Sequence, residues 1–99
     1  MRQKERTTDT IIRTDTKRDG EDNAYRYELI MKQGHGVANW KIPLYSIRIN
    51  MTDSDGNGTS ADTSDVFADA GKAILFYEKL VRNLATPIDL AYILEDEIS

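Results

Sequence analysis

Cysteine is absent from these 99 residues, and histidine occurs once, as His35. The first absence excludes disulfide frameworks, thiolate nucleophiles, iron-sulfur clusters and zinc sites built on thiolates. The second excludes multi-histidine metal sites, so no cofactor is implied. No window approaches the roughly 18 apolar residues of a membrane span, and the charged start "MRQKERTTDT" leads into no apolar run of signal-peptide length. The expectation is a cytoplasmic protein with no membrane partner.

What is present suits one small domain. Apolar residues make up 39% and charged residues 30% of the chain, without the low hydrophobicity and high net charge that keep chains unfolded. A chain this short buries only about 60–65% of the surface its unfolded form exposes, so its core must be economical. The net charge of −4 is unevenly placed, because residues 1–18 hold six basic and three acidic groups while the remainder is strongly acidic. Glu5, Asp9 and Asp15 interrupt the basic residues, which dilutes the field a nucleic acid would need. Residues 1–22 are read as a polar, flexible N-terminal segment and residues 23–99 as a single α+β domain. "TTDTIIRT" nevertheless has the β-branched content of a strand, which Asp19-Gly20 could turn back as a hairpin.

In "YRYELIM" (25–31), Tyr25, Tyr27, Leu29 and Met31 alternate with Arg26, Glu28 and Ile30, the period of two that puts one strand face on a core. "LYSIRINM" (44–51) repeats the pattern, with Tyr45, Ile47, Ile49 and Met51 on one side and Ser46, Arg48 and Asn50 on the other. Pro43 marks an entry or an edge, and "SADTSDV" (60–66) is expected to be a short edge strand. From Phe67 the period becomes helical: Phe67, Ala70, Ile74, Tyr77, Val81 and Leu84 share a face that Ala73, Phe76 and Leu80 widen. "NLATPID" ends that helix and opens another over 87–97, with Thr86 as N-cap, Pro87 at the first helical position and Asp89 closing a capping box. The second helix is expected to bury Ile88, Ala91, Leu94 and Ile98, with Leu90 and Ile93 alongside. The layout predicts a small antiparallel sheet of three or four strands with two C-terminal helices packed on one face. Arg26, Glu28, Ser46, Arg48 and Asn50 should then meet water or a partner on the other face.

"TDSDGNGTSAD" (52–62) imitates the start of a calcium loop. Asp53, Asp55, Asn57 and Gly58 match the first half of an EF-hand loop, which supplies a hard cation with six to eight oxygens. Ser64 stands where the closing bidentate carboxylate belongs, and a strand precedes the loop instead of a helix. Asp, Asn and Gly also accumulate in turns, so Asn57-Gly58 is read as the tip of a hairpin, and a metal site at Asp53, Asp55 and Asn57 is the secondary reading.

No catalytic constellation is visible. His35 lies between two glycines with no cysteine to activate and no serine in a nucleophile turn. Trp40 is either a core residue or a hot spot for a partner. Trp40, His35 and Arg48 are the candidate partner contacts. The leading expectation is a non-catalytic interaction or regulatory domain acting on an unknown protein or on a second copy of itself. Calcium binding through the 53–58 loop and weak nucleic-acid binding through the basic N-terminal segment are the alternatives.

Tyr45 with Ile47, the acidic stretch Asp62–Val66, the helix start Thr86-Pro87 with Leu90, and the pair Glu95-Asp96 together resemble a family of small uncharacterised domains, a domain of unknown function, from clostridial and related Firmicute bacteria. The likeness runs from Tyr45 to Asp96. It implies a bacterial cytosolic protein and brings no assigned activity with it.

Overall fold

The computed structural model describes residues 9–35, 41–63 and 67–98, with only the backbone described at 33–35, 41, 42 and 98. Four strands and two helices follow in order: β1 (Asp9–Arg18), β2 (Ala24–His35), β3 (Lys41–Thr52), β4 (Gly58–Asp62), α1 (Ala70–Arg82) and α2 (Pro87–Ile98). The strands form an antiparallel meander in the order β1-β2-β3-β4. Both helices pack on one face, which makes the domain α+β. Among the described residues no helix is long and apolar enough to cross a membrane.

The core forms where the alternating sheet face meets the helices. Tyr25, Tyr27, Leu29, Ile47 and Ile49 pack against Ala73, Phe76, Tyr77, Leu80 and Leu90, with Phe67 and Ala85 at the margins. Two buried phenols satisfy their polar ends within this core. Tyr27 donates to the Ala85 carbonyl at 2.8 Å, pinning the α1–α2 connection onto β2. Tyr77 donates to Asp15 on β1 at 2.7 Å and lies 3.1 Å from the Tyr27 carbonyl. Burial pushes both phenols upward in pKa, so they remain protonated donors.

Several expectations are corrected. Of the N-terminal segment 1–22, residues 1–8 lie outside the described residues, β1 pairs with β2 along its length, and the hairpin turn lies at Asp19–Asn23. The strand reads as a tail because nine of its ten positions are exposed. Its attachment is polar and distant in sequence: Arg13 donates to Glu78 at 2.9 Å and lies over the Tyr77 ring at 5.1 Å. Ile12 is an extra residue at a bulge between Ile11 and Arg13.

The third predicted strand begins earlier than 60 and ends at Asp62. Thr63 completes the ladder with its side chain, accepting from the Ile47 N–H at 3.0 Å and donating its own N–H to the Ile47 carbonyl. Residues 64–66 lie outside the described residues. Pro43 is tolerated because β4 pairs with β3 only from Arg48 onward, so β3 is an edge at its start.

The helix faces are also rotated from expectation. Phe67 precedes α1, paired in an isolated bridge with Tyr45, and Asp69 caps the helix by accepting from the Lys72 N–H at 3.1 Å. Ala73, Phe76, Tyr77 and Leu80 are buried while Ala70 and Ile74 are exposed. In α2, Pro87 and Leu90 are buried, Ile93 and Leu94 are partly buried, and Ile88 is 71% exposed. The capping box is as read: Asp89 N–H donates to Thr86 Oγ1 at 3.1 Å and Thr86 N–H donates to Asp89 Oδ2 at 3.3 Å.

Candidate functional site

The pairing register arranges the side chains of the helix-free sheet face in rows that run across the strands. Arg18, Ala24, Thr52 and Gly58 form the row nearest the β1–β2 and β3–β4 turns. Thr16, Arg26, Asn50 and Ser60 form the next, followed by Thr14, Glu28, Arg48 and Asp62. Charged and hydroxyl groups scattered through the sequence are thereby collected on one surface.

The expectation that this whole face meets water fails at its centre. Glu28 is 4% exposed and Ser46 is similarly buried, as is Ile30. Glu28 holds two guanidinium groups: Arg48 Nη1 donates to its Oε1 at 3.2 Å, and Arg26 Nε lies 3.4 Å from its Oε2. The Asn50 amide lies at 3.5 Å from the same carboxylate. An isolated carboxylate at this depth would be costly, and the two cations offset that cost while being fixed in position by it. Their outer portions stay accessible, with side-chain exposures of 59% for Arg26 and 43% for Arg48.

Beside this network lies an open groove of about 470 Å³, lined chiefly by Thr16, Arg18, Ala24, Arg26, Asn50 and Thr52, with Lys17 and Tyr25 at its side. Ala24 contributes to the depression, as a short side chain standing in its row between Arg18 and Thr52. A smaller hollow continues toward β4 past Thr59 and Ser60, sharing Asn50 and Thr52.

Of the three anticipated partner contacts, Arg48 is on this face and paired with Glu28. His35 stands opposite Lys41 at the far end of the β2–β3 ladder from the groove, with only its backbone described. Trp40 lies outside the described residues. Sequence places Arg26 on the open face and Arg18 in the basic N-terminal segment, and only strand register brings the two together.

The Asp53 loop is a turn closed on itself. Asp53 Oδ1 accepts from the N–H groups of Asp55 and Asn57, each at 2.9 Å, and the Asn57 amide lies 3.5 Å from Oδ2. The Asn57 N–H, first among these donors, holds the Asp53 pKa below its ordinary value. The Asp53 oxygens are therefore turned toward donors of their own loop. Among the described residues no three His, Cys, Asp or Glu side chains converge as metal ligands. The tip is Asp53–Asn57 with Gly56 at a positive φ of 88°, and Gly58 already belongs to β4.

The β1–β2 turn repeats this construction. Asp19 Oδ1 accepts from Glu21 and Asn23 N–H groups at 2.8 and 3.0 Å, and the Asn23 amide donates to Oδ2 at 2.9 Å. Asp22, three residues after Asp19 as Gly56 is after Asp53, also has a positive φ, of 65°. Two turns with an Asp at the start and an Asn four residues later thus close the same end of the sheet. The calcium-like letters are the chemistry of a self-capped turn.

A family model described as "Family of unknown function (DUF6514)" matches residues 8–99. The chain belongs to this family. The match takes in β1 as well as the α2 C-terminus, so the DUF6514 domain includes the polar strand that composition alone assigns to a tail. No curated protein and no solved structure matches the chain.

Proposed function

We propose that this DUF6514 domain is a non-catalytic, cytoplasmic interaction module whose first partner is a second copy of itself, joined through β1. The observation that carries the reading is the outer edge of β1. The strand is ten residues long, lies at the end of the sheet order, and exposes Ile11 and Ile12 at 51% and 45%. An edge of this length with exposed apolar side chains offers unpaired backbone groups to another strand. Two copies meeting antiparallel about Thr14 set Arg13 of one opposite Asp15 of the other, a self-complementary charge pattern. The absence of catalysis is part of the proposal and is supported by how the carboxylates are used. Asp15, Asp19, Glu28, Asp53 and Asp89 each hold structural hydrogen bonds or ion pairs.

Sedimentation velocity across a concentration series tests the reading. A dimer that Ile12→Lys converts to a folded monomer supports it, and a wild-type monomer at millimolar concentration rejects it. Fractionation of the native cell tests the compartment.

A further inference from the structure

We propose that the groove at the turn end of the open sheet face binds a small phosphate-bearing anion. Two cations of the open face border it, Arg18 and Arg26, and no carboxylate lines it, although the chain as a whole carries a net charge of −4. Among the described residues Arg18 has no carboxylate within ion-pair distance. Arg26 is engaged with Glu28 through Nε, a pairing that does not use its terminal nitrogens, and the residue lines the groove.

The nearest acids are occupied or placed elsewhere. Asp19, in the adjoining turn, has both oxygens engaged: Oδ1 by its own loop, Oδ2 by the Asn23 amide and the Tyr25 hydroxyl, the latter at 2.8 Å. Asp53 is bonded to its own loop in the same way. Glu21 and Asp22 are exposed in the turn and do not line the groove.

Charge and shape both narrow the ligand class. Guanidinium forks match the oxygens of phosphate, and two of them suit a dianion better than a single carboxylate. Thr16, Asn50 and Thr52 add neutral polar groups for the remainder of the ligand. A volume near 470 Å³ falls in the range of about 300–1,000 Å³ typical of small-molecule sites. Glu28 acts from beneath as the positioning residue, because it orients Arg26 and Arg48 without lining the groove. The site is independent of pairing through the outer edge of β1.

Nitrogen-15 NMR titrations with inorganic phosphate, ribose 5-phosphate and acetate test the proposal at low and moderate salt. The expected result is saturable shifts at the amides of 16–18, 24–26 and 50–52 with one or both phosphates. The same affinity for both phosphates identifies the free ion as sufficient, and tighter binding of ribose 5-phosphate identifies the ester. Arg18→Gln, an exposed change that leaves the fold intact, should weaken binding at least tenfold, and Arg26→Gln should do the same. Shifts in Ile12→Lys as in wild type separate the groove from self-association. The proposal is overturned by absent or non-saturating shifts, by equal affinity for acetate, or by binding that survives both arginine substitutions.

Discussion

The hydroxyl of Tyr77 on α1 and the carboxylate of Asp15 on β1 meet at 2.7 Å, across 62 residues of chain. With the Arg13 to Glu78 bond, this contact fastens the most polar strand of the sheet to the helical layer. It explains how β1 belongs to the domain without burying a hydrophobic face.

Removing that hydroxyl should loosen β1 selectively. Tyr77→Phe keeps the ring in the core and is expected to cost about 1–2 kcal/mol. In urea unfolding the midpoint should fall. Hydrogen exchange should quicken at β1 amides more than at β3 amides, since regions with few buried contacts open first. Uniform acceleration across the sheet would show that the bond supports the core as a whole instead.

The two matched turns make opposite predictions at corresponding positions. Asp22 occupies a left-handed conformation at φ 65° where the other turn has Gly56 at φ 88°. Asp22→Gly should stabilise by roughly 0.5–1 kcal/mol by removing the steric penalty, and Gly56→Ala should destabilise by about 1–2 kcal/mol. No atom lies within 4 Å of a Cβ built on Gly56, so the second effect is one of backbone angle and not of a clash. Thermal melts of both variants, compared with wild type, measure the pair.

Asp19 gives the fold an acid-sensitive component. The Asn23 amide, aided by backbone N–H groups and Tyr25, lowers its pKa from 3.8 to about 2. A depressed folded-state pKa means the folded chain resists protonation more than the unfolded one. The contribution is therefore complete above about pH 4 and is lost as pH falls toward 2. Stability measured for wild type and Asp19→Asn should differ at pH 6 and converge by pH 2. A difference that stays constant through this window would assign the turn's contribution to geometry without charge.

The phase of α2 can be checked with two truncations. Leu90, 2% exposed, should cost about 2–4 kcal/mol as Leu90→Ala. Ile88→Ala, at a position 71% exposed, should stay within about 0.5 kcal/mol. Chemical denaturation of the two variants distinguishes this packing from one in which Ile88 faces the sheet.

Helix ends and strand alternation were legible because their signals are local. Thr86, Pro87 and Asp89 specify a helix start through groups within one turn, and Tyr25, Tyr27 and Leu29 declare a buried face by spacing alone. The rotation of α1 was not legible, because a wide apolar stripe from Ala70 to Leu84 offers several faces and packing selects Ala73, Phe76, Tyr77 and Leu80. The end of α1 shows the same override. Ala85 N–H donates to the Leu80 carbonyl at 3.0 Å and Leu84 N–H to the Val81 carbonyl at 3.2 Å, with Leu84 left-handed at φ 54°. Glycine usually holds that position. Here Leu84 is kept because its side chain packs against the core.

Arg18, Arg26 and Thr52 are far apart in the chain and ordinary in their local context, and only the ladders of β1, β2 and β3 bring them to one groove.

By itself the sequence determined the α+β class, the capping of α2, the two sheet faces and the self-closing chemistry of the Asp53 turn, since each depends on groups a few residues apart. Tertiary structure decided that β1 joins the sheet, which helix faces are buried, and that Glu28 sits sealed between Arg26 and Arg48. Those outcomes depend on strand register and on contacts spanning many residues, and no local pattern of side chains encodes either.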